Sequence, residues 1–285
     1  MNNHSQIKVA GAIVLYNSEI SVIDNIKSYI NQVDTLFVVD NSETINESLI
    51  MSLETFFNIK YIFNGQNLGI ANALNIAANA AINHGFDYLL TMDDDTLVPD
   101  NMVARMVTFL SERESDKIGI LAAQSTPHLA GESHRYVYVT ITSGNLLNLK
   151  AYKQCGPFLE KLFIDWVDHE YCMRLARNGY SVIELNYLLL NHRLGIRKHV
   201  SILGKTIHWT SHNPTRVYYR FRNTSYVMWK YAFYIPSKYY LIFMYELLKD
   251  VSKNMWLEDK RLYRSKMMLK GVLDCCKGKM GRYDG

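Results

Sequence analysis

Short, nearly continuous apolar runs alternate along this chain with stretches whose apolar residues recur at helical spacing. Val9-Ala10-Gly11-Ala12-Ile13-Val14-Leu15-Tyr16 is apolar almost throughout and stops at Asn17-Ser18, as expected of a strand buried on both faces. Ile23, Ile26, Ile30 and Val33 follow at helical spacing and predict an amphipathic helix over residues 19–32. Thr35-Leu36-Phe37-Val38-Val39 is a second buried strand, ended by Asp40-Asn41-Ser42. A helix over 43–57 and a strand at 60–63 come next. The turn-rich Asn64-Gly65-Gln66-Asn67-Leu68-Gly69 then opens an Ala/Asn-rich helix over 70–84, closed by Gly85. The run Phe86-Asp87-Tyr88-Leu89-Leu90 reads as another strand and ends in Thr91-Met92-Asp93-Asp94-Asp95-Thr96. A helix over 99–113 and a strand at 118–123 complete this half. Strands alternating with helices predict an α/β fold with a mostly parallel sheet covered on both faces.

The second half is less regular. Residues 136–142 alternate as a strand, and Ser143-Gly144-Asn145 turns. Residues 165–178 form a helix closed by Gly179, with Glu170 and Arg174 spaced for an i,i+4 pair. Strands are expected at 182–185 and 188–190, then a polar loop carrying His192, His199, His208 and His212. Asn213-Pro214 starts a helix, and from Val217 onward the pattern is helical. The boundaries expected are 1–212 for the α/β domain, in halves 8–125 and 126–212, and 213–285 for a helical extension.

Length and composition fit this picture. A chain of 285 residues, 48% hydrophobic, can hold one large α/β domain with an appendage and a sizeable core. The start of the chain shows no targeting signal, and Cys155, Cys172, Cys275 and Cys276 have neither metal-ligand nor disulfide-framework spacing. Both features favour a reducing cytoplasm. Charge is uneven: residues 249–285 carry ten Lys/Arg against five Asp/Glu, a net of +5, whereas the whole chain is +4. The positive balance therefore belongs to the tail.

The acidic triplet is the first candidate for chemistry. Three successive carboxylates repel one another unless something positive sits on them. In extended backbone Asp93 and Asp95 share a face, and two oxygen donors with open positions suit a hard cation such as Mg²⁺ or Mn²⁺. The alternative is a solvated acidic turn in which Asp95 or Asp100 caps the next helix. Ligands of parallel sheets bind beyond the carboxyl ends of the strands, and Asn17, Asp40 and Asp93 to Asp95 all fall there.

Several motifs, in order, resemble glycosyltransferase family 2, the inverting enzymes of GT-A fold. They are Leu15-Tyr16-Asn17; Val38-Val39-Asp40-Asn41-Ser42; Asn67-Leu68-Gly69-Ile70-Ala71-Asn72-Ala73; the acidic triplet; Thr142-Ser143-Gly144; and the segment from Phe163 to Arg174. Asn191-His192-Arg193-Leu194-Gly195 and the segment from Arg216 to Asn223 resemble the bacterial rhamnosyltransferase branch. The resemblance covers residues 8–225. It implies transfer of a sugar, L-rhamnose from dTDP-rhamnose in that branch, to a glycan or lipid-linked acceptor in surface polysaccharide synthesis. A galactofuranosyl or UDP-hexose transferase shares most of these motifs.

The resemblance also implies roles. Asp40 would bond the nucleotide base, with Tyr16 and Asn17 lining that pocket and Asp94 beside it. Asn67 and Gly69 would bring backbone close to the nucleotide sugar. Asp93 and Asp95 would hold the cation, with His192 as third ligand or else a loop hydrogen-bonder. The family's Glu-Asp pair reads Val167-Asp168 here, so Asp168 alone is the expected base, with Asp165 as runner-up. Arg216, Arg220 and Arg222 stand near a helix start where a diphosphate or anionic lipid could bind, unless they form a solvated face.

Rival classes fare less well. A sugar nucleotidyltransferase needs a Gly-rich, Arg-containing loop that Leu15-Tyr16-Asn17-Ser18 does not supply. Asp165 and Asp168 are too close in sequence to flank a sugar as glycoside-hydrolase carboxylates do. A non-catalytic carbohydrate-binding protein on the same fold stays open because of the missing Glu. Residues 226–245 hold nine aromatics broken by Lys230, Pro236 and Lys238. That composition suits a membrane interface, a core layer or a homo-oligomer surface rather than a spanning helix. No nucleic-acid-binding signature accompanies the basic tail.

Overall fold

The structure is a computed structural model that describes residues 7–113, 116–127, 131–192, 197–202 and 205–285. The first half runs β1 (Val9–Leu15), α1 (Val22–Lys27), β2 (Thr35–Asp40), α2 (Glu47–Leu53), β3 (Ile59–Phe63), α3 (Ile70–Asn83), β4 (Tyr88–Met92), β5 (Thr96–Leu97), α4 (Met102–Ser111) and β6 (Ile118–Gln124). The second runs β7 (His134–Val137), β8 (Asn145–Asn148), α5 (Leu149–Cys155), α6 (Val167–Arg177), β9 (Ser181–Leu189), β10 (Asn191–His192), β11 (Arg197–Ile202), β12 (Lys205–Thr210), α7 (Pro214–Lys230), α8 (Ser237–Trp256) and α9 (Arg261–Cys276).

Eight strands form one sheet in the order β3-β2-β1-β4-β8-β6-β9-β7. The block β3-β2-β1-β4 is parallel throughout, β8 runs antiparallel between β4 and β6, and β6 and β9 are parallel again. Register places Leu15 opposite Asp40 and Ile13 opposite Met92. The polar residues after β1, β2 and β4 therefore emerge along one rim of the sheet.

Side chains alternate between two faces. Ala10, Ala12, Phe37 and Val39 pack against the alanine-rich face of α3, whereas Ile13, Leu15, Leu36, Val38 and Leu90 pack against α1 and α4. Small residues on β1 let α3 lie close, which explains the Ala/Asn composition of that helix.

Several expected boundaries shift. The helix expected over 19–32 is α1 followed by a 3₁₀ turn at Ile30–Gln32, because Ser28 Oγ and N–H turn back onto Asn25 O. The helix expected over 43–57 shortens to α2, N-capped by Asn46. Of the strand expected over 136–142, only the first residues lie in β7; the strand that enters the sheet is β8, beyond the turn at Gly144. β9 runs unbroken where two strands were expected. The histidine-bearing loop is a hairpin, β11 against β12, with His199 opposite His208.

The last three helices are bonded into the α/β body. Arg222 is 1% exposed and donates to the carbonyls of Lys161, Leu162 and Gly281. Glu170 of α6, fully buried, accepts from Arg174, Lys230 and Tyr231 at 2.6–2.9 Å. The i,i+4 pair expected from the sequence is thus part of a junction between α6 and α7. α7 and α9 touch backbone to backbone: a Cβ on Gly271 would lie 2.6 Å from the Tyr218 carbonyl.

Candidate functional site

The rim of the parallel block carries a continuous polar chain. Asp40 is buried; its Oδ1 accepts from Ser42 N at 2.9 Å and its Oδ2 from the Tyr61 hydroxyl at 2.6 Å. Burial and that bond to Asp40 raise the Tyr61 pKa, so the phenol keeps its proton and donates. Ser42 Oγ accepts from Asn17 N at 2.8 Å, and Asn17 takes the left-handed conformation at φ 50°. Ser18 Oγ donates to Asp94 Oδ2 at 2.7 Å, and Asn25 holds the Asp94 carbonyl at 2.7 Å. Tyr16, Asn17, Asp40 and Asp94 therefore lie along one edge. Tyr16 is exposed above it, as a ring that meets a ligand would be.

Asn67 and Gly69 act inside the protein. Asn67 Oδ1 accepts from Gly69 N at 3.0 Å, and the Gly69 carbonyl accepts from Asn41 Nδ2 at 3.2 Å. Gly69, at φ +83°, has the Phe163 carbonyl 2.6 Å from where a Cβ would be. The close backbone approach expected of this glycine is thus to Phe163, pinning α3 to the loop that leads to Asp168.

The acidic triplet is held from below. Asp93 N donates to Ser143 Oγ at 3.1 Å, Ser143 Oγ donates to Thr96 Oγ1 at 3.0 Å, and Thr96 donates to Asp95 Oδ1 at 3.3 Å. The backbone of His192 pairs with Thr96 through β10 and β5, which brings the expected third ligand's position beside the triplet. The His192 side chain lies outside the described residues. Among the described residues no group of three His, Cys, Asp or Glu side chains converges as a metal cluster. The donor set that is present, Asp93 and Asp95 with oxygen donors at a solvent-facing turn, fits a hard cation that keeps waters and substrate oxygens as its remaining ligands.

Asp168 opens α6, and its side chain is 23% exposed. Its Oδ1 accepts from the His169 backbone N–H at 2.8 Å and lies 2.9 Å from His169 Nδ1. Burial works against ionisation, but the charge and hydrogen bonds of His169 outweigh it and hold the Asp168 carboxyl below its ordinary range. Behind it lies a cavity of about 10 Å³, reached also by Asn145 and Tyr171. Asn145 Oδ1 and the Tyr171 hydroxyl find no protein partner, and the space suits one water.

Asp165, at φ 61°, is gripped by Arg216 through three contacts of 3.2–3.3 Å. Asp165 raises the Arg216 pKa most, against some burial, and the charges of Asp93 and Asp168 add to the effect. Arg216 thus ties the start of α7 to Asp165, in the loop just before α6, and its guanidinium is 46% exposed. Asn223 Nδ2 donates to the carbonyls of Leu162, Ile164 and Asp165 at 2.7–2.9 Å and fixes the loop before Asp168. Arg222, expected at the diphosphate, faces inward instead; its guanidinium is enclosed by carbonyls and sits over the Tyr219 ring at 4.9 Å.

Ser18, Tyr61, Ser143 and Asn223 were not expected at the site. Ser143 carried a sequence signal in Thr142-Ser143-Gly144, and Asn223 closes the segment from Arg216 that resembled the rhamnosyltransferase branch; Ser18 and Tyr61 act through distant partners that no local pattern announces.

A polar rim at the strand ends, an acidic turn after β4 and a carboxylate at a helix start lie together on a fold of GT-A type. Residues 12–146 match the model of glycosyl transferase family 2. The chain is 25% identical over 234 residues to the dTDP-rhamnosyl transferase RfbF of Shigella flexneri, covering 75% of this chain and 78% of the relative. Its fold matches that of S. aureus TarS 1-349 in complex with UDP-GlcNAc, at TM-score 0.64 and 13% identity, over 95% of this chain and 81% of the other. It also matches GalNAc-T7 with UDP, GalNAc and Mn²⁺, at TM-score 0.61 and 13% identity, over 96% and 57%.

Proposed function

We propose that the protein is an inverting, metal-dependent glycosyltransferase that moves L-rhamnose from dTDP-rhamnose to a lipid-linked or oligosaccharide acceptor in bacterial surface polysaccharide synthesis. The sugar rests on the likeness to the Shigella flexneri enzyme. The observation that carries the chemistry is a partly exposed carboxylate, Asp168, at the start of α6, on the same protein face as an acidic turn after β4 held by Ser143 and Thr96.

In this reading the nucleoside lies along the rim, its base against Asp40 and Tyr16, and Arg216 reaches the diphosphate. Asp93 and Asp95, with His192 as third ligand, would hold Mg²⁺ or Mn²⁺, which when bound neutralises charge on the leaving diphosphate. The acceptor oxygen attacks the anomeric carbon from the face opposite the leaving group. As that C–O bond forms, the bond to the diphosphate breaks and its electron pair leaves with the nucleotide. Asp168 takes the acceptor proton. Arg216 holds Asp165 away from that role.

The test is nucleotide release across a panel of sugar nucleotides, with and without Mn²⁺. Turnover of dTDP-rhamnose above the UDP-hexoses is expected. Asp95→Ala should weaken donor binding in calorimetry and remove its response to EDTA. Full activity in EDTA would overturn the metal assignment.

A further inference from the structure

A second cavity, of about 670 Å³, lies between the end of the β11–β12 hairpin and α8, away from the nucleotide rim. Its size falls within the range of ligand pockets. Its hairpin wall is fixed by Glu258, which is buried and accepts from Trp209 Nε1 at 3.1 Å, Ser211 Oγ at 2.8 Å and Lys198 Nζ at 3.1 Å. Trp209 is thereby oriented on one side, while Trp256, 69% exposed, stands on α8. Two indole faces suit the apolar C–H faces of sugar rings, with each ring's polar edge left to hydrogen bonds.

The charges decide which ligand this is. Arg220 and Lys253 both pair with Asp250, and Lys249 pairs with Glu246 at 3.3 Å. Burial, then the nearby cations Arg216 and Lys253, push the His212 pKa down to about 4, so this histidine lining the cavity is neutral near pH 7. Three cations beside two carboxylates leave little net charge. Interleaved donors and acceptors match hydroxyl groups better than a phosphate, which needs cations without counter-charges. The cavity also adjoins the reaction centre. Arg220 lies four residues after Arg216 on α7, about one helical turn, and His212 feels the charges of both Arg216 and Asp165.

We propose that this cavity is an acceptor subsite for an uncharged oligosaccharide, holding the sugars behind the one whose hydroxyl reaches Asp168. The proposal rests on the glycosyltransferase reading and adds the class of acceptor and the residues that select it. Trp256 and Lys249 are exposed, so replacing them perturbs the fold little.

The test uses the full chain, Trp256→Ala and Lys249→Ala on an array of neutral rhamnose- and glucose-containing oligosaccharides of one to six sugars, with phosphorylated counterparts beside them. Wild type should bind neutral glycans of two or more sugars, and Trp256→Ala should weaken this at least tenfold. Nucleotide release from the donor without acceptor is read in parallel, with kcat and donor KM expected to be unchanged in both variants. Binding only to phosphorylated glycans, only to monosaccharides, to none, or equally by Trp256→Ala would overturn the proposal. Glycan binding that depends on Trp256 in a protein that releases no nucleotide would instead overturn the transferase reading and leave the subsite standing.

Discussion

At the scale of single residues, the chemistry turns on how Asp168 and Asp165 differ. Asp165 carries a guanidinium on its carboxylate, whereas Asp168 accepts from its neighbour His169 and stays 23% exposed. Asp168→Asn is expected to lower transfer by about 10²–10⁴, the usual contribution of a general base, with donor affinity by calorimetry unchanged. Asp165→Asn should keep turnover within a few-fold of wild type; the opposite pattern would exchange the two roles. The His169 contacts, outweighing burial, hold the Asp168 carboxyl low, so the base is lost only as pH falls through that lowered value. The acid limb of kcat should therefore lie below the ordinary Asp value of about 3.9, wherever the fold survives. The same sign holds for stability: ionised Asp168 contributes above the unfolded pKa, and this contribution is lost as pH falls through the folded one. A base this weak takes its proton late, once the attacking oxygen has become positive. Asp40 and the triplet stood out in the sequence because each follows a strand, whereas Asp168 stood out through the resemblance, at the position of the family's Glu-Asp pair. Arg222 was misread because a guanidinium near a helix start looks alike whether it faces solvent or carbonyls.

At the scale of elements, α7 is the strut that makes the site. Asn223 and Arg222 hold the loop before Asp168 by its carbonyls, and Lys230 and Tyr231 reach the buried carboxylate of Glu170. Removing that carboxylate strands two cations and a hydroxyl. Glu170→Ala should therefore cost about 3–5 kcal/mol, read as a lower midpoint in denaturant with donor binding retained at low denaturant. Gly271→Val drives a side chain into the Tyr218 carbonyl and should cost about 1–3 kcal/mol by overpacking. The parallel block was readable from apolar runs because both of its faces are buried. β8 was not, since Asn145-Leu146-Leu147-Asn148 is too short to show a period, and in the β11–β12 hairpin histidines and lysines interrupt the few apolar positions. Both are fixed by partners remote in sequence: β8 by β4 and β6, the hairpin by Glu258.

At the scale of the whole molecule, one acceptor that the proposed function allows is carried on a lipid, and the chain would have to meet it at a membrane. Among the described residues no helix is long and apolar enough to cross a membrane. The aromatic segment divides instead: Tyr231 and Phe243 are buried, while Trp229, Tyr234 and Tyr245 are exposed and Phe233 is 100% exposed. Leu241, Tyr245 and Leu248 follow one another along the outer face of α8. Residues 249–285 add a net charge of +5, although Lys249, Lys253, Arg264 and Lys270 each pair with a carboxylate. Each basic residue close to an anionic leaflet contributes up to about 1 kcal/mol, and the effect fades within a Debye length of about 8 Å at physiological salt. Reversible binding to phosphatidylserine-containing vesicles is therefore expected, weakening as salt rises, with little binding to neutral vesicles. Truncation after Leu248 cannot isolate the tail, because it removes α9 and its backbone contact with α7. Phe233→Ser with Leu241→Ser changes exposed positions only and should reduce vesicle binding while leaving nucleotide release intact. Equal, salt-insensitive partitioning onto neutral and anionic vesicles would show that charge is not the anchor. The exposed apolar face of α8 would then have to be covered by a second copy of the chain, visible as a dimer in sedimentation.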